Sequence, residues 1–227
     1  LVAAGVRLWH VGLLLPAAGA AFVGLVVTSP YRMNRIMAYM DPYADAQGKG
    51  YHVIQSMAAI AGGGLPGRGL GNGIQKFGYL PEATTDFIYA IACEELGIVG
   101  AIGILALFVM LALTGLAIAT STAKVRAADG SEHRVGLTTN FESLVALGFT
   151  LTVTLQALIN VAVVTGLAPT KGIALPLISR GGTGWILTAF SLGMVAAIAR
   201  ASDARRRSLE TAGVAEPELD GAMPQPA

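Results

Sequence analysis

Residues 96–120 read LGIVGAIGILALFVMLALTGLAIAT, a run without a single charged side chain. A helix needs about 20 residues to cross a hydrocarbon core, so this stretch is long enough to span a bilayer. Working outward, three more stretches meet the same requirement: residues 8–29, 143–167 and 181–199. Pro16 falls inside the first and predicts a kink, which lipid-embedded helices tolerate when neighbours satisfy the freed carbonyl. Pro169 stands just beyond the third and predicts its stop. The fold class that follows is all-α, a polytopic bundle of membrane helices.

Composition excludes the other broad classes. Charged residues are 13% of the 227, against roughly 25% in a typical soluble chain. Hydrophobic residues make up 54% and mean hydropathy is +0.63, leaving too little charge to solvate a globule of this size. A net charge of +1 with no basic run outside the tail argues against nucleic acid as a partner. One cysteine cannot pair within the chain, so this is no disulfide scaffold. The chain begins at Leu1 and has no charged leader, which reads as an internal or C-terminal piece of something longer.

Short loops give an orientation, because Lys and Arg favour the cytoplasmic side. Lys124, Arg126 and Arg134 lie between the second and third spans, and Arg200, Arg205, Arg206 and Arg207 follow the fourth. Four spans put both groups in the cytoplasm and residues 30–86 outside. Residues 201–227 then form a cytoplasmic, disordered tail, a positive-inside anchor that could also touch acidic lipid or a partner.

The outer loop is far longer than the ~12–15 residues a structureless connection usually reaches, and such loops tend to be functional. Residues 31–40 alternate basic and apolar residues as a short interfacial helix does. Residues 53–60 are apolar but too short to span, and suggest a buried, re-entrant or surface-lying helix. The glycine-rich run at 62–73 permits positive φ and close backbone approach, yet it fits neither GxGxxG nor a P-loop. It reads equally as a flexible linker.

The sharpest segment is residues 75–89, QKFGYLPEATTDFIY. It places Glu82 and Asp86 where the outer loop enters a membrane helix. Thr84 or Thr85 could cap that helix, and an acid in its first turn suits the helix dipole. Asp86 has a second reading, because it is followed at once by apolar sequence, and ionisable groups at that depth are functional candidates. Glu94 and Glu95 either face a polar cavity or lie at the interface; Cys93 reads as a small core residue. His10, His52 and His133 are too scattered for a metal site. The second polar outer segment, residues 166–184, carries two prolines, several glycines and Lys171, as irregular backbone lining a cavity would. Lys171 could bind phosphate or snorkel to the interface. Gln156 and Asn160, four apart, share a helix face and read as interhelical hydrogen bonds.

These two segments resemble the SEDS family, which comprises the FtsW, RodA and SpoVE proteins of bacterial division, elongation and sporulation. The resemblance rests on Tyr79-Leu80-Pro81-Glu82-Ala83, Thr85-Asp86-Phe87-Ile88 and Glu94-Glu95-Leu96-Gly97. It continues in Pro169-Thr170-Lys171-Gly172, Leu175-Pro176-Leu177-Ile178-Ser179 and Gly181-Gly182. Asp41-Pro42, Gly50-Tyr51 and Gln55-Ser56 match as well, and the likeness runs from about residue 8 to residue 200. Glu82-Ala83 after Leu-Pro is closer to the FtsW branch than to RodA. Three positions depart from the family pattern: Thr84 replaces a usual His, Thr183-Gly184 replace two serines, and Arg180 replaces an uncharged residue.

What the resemblance implies is a bacterial cytoplasmic-membrane enzyme of about ten helices, of which this chain holds the last four and the large extracytoplasmic loop. Family members polymerise lipid II into peptidoglycan, release undecaprenyl pyrophosphate, and work with a class B penicillin-binding protein among other divisome membrane proteins. The family's essential aspartate maps onto Asp86, as general base toward a sugar hydroxyl. Lys171, Lys76 and Arg32 are candidates for the anionic leaving group, and Glu82, Thr85, Gln55, Ser56, Ser179, Gly181 and Gly182 for other substrate contacts. A divalent cation bridging the pyrophosphate is possible, although no ligand set in the sequence identifies one. Other readings are a lipid-linked precursor transporter and a non-catalytic scaffold for the penicillin-binding protein. The fragment by itself is expected to be inactive.

Overall fold

The computed structural model describes residues 8–125 and 141–214, and all helices and turns below lie within them. Arg126, Arg134 and His133, cited above, lie outside those residues. Six α-helices follow in order: α1 (Leu8–Val27), α2 (Pro30–Met40), α3 (Tyr51–Gly63), α4 (Ile88–Val125), α5 (Phe141–Val164) and α6 (Gly182–Val214). Three of them carry segments long and apolar enough to cross a membrane, at Ile88–Thr120, Phe141–Val164 and Gly182–Arg205. A fourth crossing is available if Gly12–Val27 and Pro30–Met40, bent 95° to each other, count as one broken span. The chain is thus a multi-pass membrane protein of helices alone among its described residues.

The long loop is structured. Ser29 precedes Pro30, whose fixed φ suits a first helical position, and α2 starts there. Asp41 then accepts from the amides of Tyr43 and Ala44 and starts a 3₁₀ turn at Pro42–Asp45. The short apolar segment becomes α3, packed against α4 and held to the end of α5 where the buried Ser56 Oγ donates to Val164 O at 2.6 Å.

Two boundaries differ from the sequence expectation. The second span was placed from residue 96, but helix begins at Ile88 and breaks at Gly97, whose φ of 67° and ψ of −164° only glycine adopts readily. The break frees the carbonyls of Glu94 and Glu95, and the glycine-rich run fills it. Arg68 N donates to Glu94 O at 3.0 Å, Gly69 N to Glu95 O at 2.9 Å, and Ile98 N to Gly64 O at 3.0 Å. The side chains act on the same loop: Glu94 accepts from Ile74 N and Gln75 N, Glu95 from Gly71 N and Gly73 N. The run is therefore a plug docked into a broken helix, and the linker reading does not hold. The second difference is α6, which continues to Val214, so residues 201–214 are helix where a disordered tail was expected. Charge ends a membrane span without ending a helix, and Ala, Arg, Leu and Glu in that stretch are good helix formers.

The core lies beneath the plug, where Ala59, Leu80, Phe87, Tyr89, Ile91, Cys93, Phe108 and Leu175 are buried together. Long apolar side chains such as Val99, Leu107 and Ile186 face outward, as lipid contact requires.

Candidate functional site

Asp86 lies two residues before α4, in the turn that brings the long loop to the bundle. Glu82 shapes that turn with a left-handed φ of 53°, uncommon for a residue with a side chain. Its carbonyl accepts from Thr85 N and Phe87 N, and its Oε2 accepts from Thr85 Oγ1 at 2.8 Å.

Residues 166–184 and α5 hold the turn from the other side through three consecutive carbonyls. Arg180 N donates to Thr84 O at 2.9 Å, Ser179 Oγ to Thr85 O at 2.6 Å, and Asn160 Nδ2 to Asp86 O at 2.7 Å. Asn160 is 1% exposed and its Nδ2 also donates to Ile173 O at 2.6 Å, while Gln156 Nε2 donates to Ala174 O at 2.9 Å. The expected interhelical bonds between these amides and a neighbouring helix are instead bonds from helix to loop. The irregular backbone at 173–174 leaves carbonyls unpaired, and they outcompete helices whose own carbonyls are already bonded.

The result is a cleft of about 470 Å³ whose walls include Asp86, Glu82, Arg35, Lys49, His52 and Lys171. Gly172 brings backbone up to the carboxylate: a Cβ there would sit 3.1 Å from Asp86 Oδ2. Among the described residues the carboxylate oxygens of Asp86 accept no hydrogen bond, so its lone pairs are free for a ligand. Burial raises its pKa above the ordinary carboxylate value, the negative charge of Glu82 raises it further, and the Arg35 guanidinium partly offsets both. Arg35 is fixed in place, donating to Thr170 O at 3.0 Å and to the Tyr31 hydroxyl. Lys49 Nζ donates to Asn34 Oδ1 at 2.9 Å, and Lys171 is exposed at the rim.

Of the residues singled out from sequence, Asp86, Glu82 and Lys171 meet in this cleft, and Thr85 braces Glu82. Others do not reach it. Arg32 sits in the first turn of α2 and reaches back to Leu25 O, at 2.9 Å, one of the carbonyls a helix end leaves unpaired. Arg35, one turn on, is the arginine of α2 that lines the cleft. Lys76 pairs with Glu95 Oε1 and Gly71 O, both at 2.6 Å, and so locks the glycine plug rather than facing a substrate. Ser56 and Ser179 are buried ties between segments, Gln55 lies half-buried on α3 away from the cleft, and Gly181 and Gly182 form the entry to α6. Tyr31, Asn34, Arg35, Lys49 and His52 were missed. The alternating pattern of α2 signalled a helix but not which of its faces turns to the second loop, and Lys49 carried no signal.

For a divalent cation the fit is poor on this chain alone. Among the described residues no three His, Cys, Asp or Glu side chains converge. Asp86 and Glu82 could supply at most part of the oxygen ligands such a cation needs.

Residues 1–204 match the family of FtsW, RodA and SpoVE, described as cell cycle proteins. The chain is 42% identical over 210 residues to a probable peptidoglycan glycosyltransferase FtsW of Marinobacter nauticus, covering 92% of this chain and 50% of that protein. It is 41% identical over 199 residues to the stage V sporulation protein E of Bacillus subtilis, covering 88% and 50%. It also resembles a chain in a solved structure on the coordination of polymerization and crosslinking by a peptidoglycan synthase complex. That match has a TM-score of 0.56 and 27% identity, and covers 86% of this chain and 48% of the other. The chain spans about half the length of the curated relatives it matches.

Proposed function

The chain belongs to the FtsW, RodA and SpoVE family, and from that premise we propose that the full protein polymerises lipid II into glycan strands during division, at the outer face of the bacterial cytoplasmic membrane. The observation that carries this reading is the carboxylate of Asp86, unpartnered in a cleft it shares with Arg35 and Lys171. In the reaction a sugar hydroxyl of one chain transfers its proton to Asp86 as its oxygen attacks the anomeric carbon of the other. The bond from that carbon to the phosphate oxygen breaks, and undecaprenyl pyrophosphate departs with the electron pair. A positioned general base supplies about 10²- to 10⁴-fold, and the raised pKa of Asp86 strengthens it as a base.

Arg35 and Lys171 face the charge that develops on the leaving group. Arg35 is already held by Thr170 O and Tyr31, so little ordering remains to be done when substrate arrives. Lys171 brings a mobile point charge to the rim. Asp86 and Glu82 are the residues that would hold a divalent cation, which would supply positive charge toward the leaving group. The proposal includes a class B penicillin-binding protein and other divisome membrane proteins as partners, supported by the likeness to a chain of a peptidoglycan synthase complex.

The competing reading is a transporter of the same lipid-linked precursor. Asp86 sits at the mouth of α4 rather than midway along it, which favours chemistry at a surface over a mid-membrane binding site. Purified full-length protein with its partner, given lipid II, should yield long glycan strands on a gel. Translocation of labelled lipid II in proteoliposomes without any polymer would instead establish the transporter.

A further inference from the structure

We infer that His52 is a substrate contact in this cleft, donating a hydrogen bond from Nε2 to an oxygen of the sugar diphosphate headgroup. The inference rests on the glycosyltransferase reading and adds to it a residue that the reaction as described does not use. His52 lies in the first turn of α3 and lines the same cleft as Asp86. Its ring stacks on Phe87, the neighbour of Asp86, with centroids 6.0 Å apart and planes 11° from parallel, and meets Tyr51 edge-on at 6.4 Å. Two aromatic contacts therefore fix the plane of the imidazole.

The ring's polar atoms are used unequally. Nδ1 is buried and has no hydrogen-bond partner among the described residues. Nε2 has no partner there either and is not among the buried atoms, so it is the ring's accessible polar atom in a residue that lines the cleft. Neutral imidazole carries its single proton on one nitrogen and a lone pair on the other. A buried N–H without an acceptor is the rarer kind of orphan in folded proteins, so the proton belongs on Nε2 and the bare lone pair on Nδ1. That arrangement puts an oriented N–H donor beside the charged groups of the cleft. The cations there act as charge toward phosphate, whereas a fixed N–H reads the position of one oxygen.

The test uses full-length protein with its partner and measures initial rates of lipid II polymerisation across lipid II concentrations. His52→Phe keeps a ring to stack on Phe87 and removes the donor. His52→Gln gives up the stack but keeps an N–H. The expected result is a fall of about tenfold in kcat/KM for His52→Phe, the size of one hydrogen bond to substrate, carried mainly by KM, with most of it recovered in His52→Gln. Wild-type kinetics in His52→Phe would overturn the inference. So would equal losses in both variants together with lowered melting temperatures, which would mark the ring as packing alone. A wild-type protein that makes no polymer at all would sink the glycosyltransferase reading first, and this inference with it.

Discussion

A carboxylate that takes a proton must be ionised when the hydroxyl arrives, and the surroundings of Asp86 press against that condition. Burial and Glu82 favour its protonated form, while Arg35 favours the charged one. A base with a raised pKa loses activity at a higher pH than an ordinary carboxylate as the solution is acidified. Glu82→Gln removes a raising charge, so the acid limb of the kcat/KM profile should move to lower pH. Arg35→Met removes the lowering charge and should move that limb to higher pH, with a lower plateau as well. Unmoved limbs in both variants would show that another group sets the profile. At this scale Asp86, Glu82 and Lys171 were legible because each stands in a short motif at the edge of an apolar run. Arg32 and Lys76 are engaged away from the cleft for a physical reason. Charge and neighbourhood can be read along a chain, but which carbonyl or carboxylate has already claimed a cation depends on segments far away in sequence, here Leu25 O and Glu95.

At the scale of elements, the membrane helices were legible from hydropathy and the break at Gly97 was not. A helix interrupted by one residue keeps its apolar composition on both sides, and the acids that hold the plug read as facing a polar cavity or lying at the interface. In the structure Glu94 is 1% exposed and fully engaged with the plug, with Arg68 at 3.6 Å. A Cβ at Gly97 would fall 2.4 Å from both Gly67 N and Leu65 O, besides requiring a backbone conformation that costs a residue with a side chain about 1–3 kcal/mol. Gly97→Ala should therefore lower the melting temperature in detergent and open residues 64–76 to limited proteolysis. A variant that melts and resists protease like the wild type would show that the plug does not depend on the break.

For the whole molecule, the described part of α1 packs chiefly against α2, and its large side chains, Leu13, Leu15 and Phe22 among them, are exposed. The cleft is open, and the relatives are about twice the length of this chain. Residues 1–227 expressed alone should insert into membranes yet make no glycan polymer, with full-length protein as the positive control; polymer from the fragment would mean that the cleft is already complete. The most direct measurement is the rate of lipid II polymerisation by full-length Asp86→Asn, a variant of the same shape that cannot take the proton. The account predicts a loss of at least about 100-fold, with expression and partner binding unchanged. A rate equal to the wild type would contradict it.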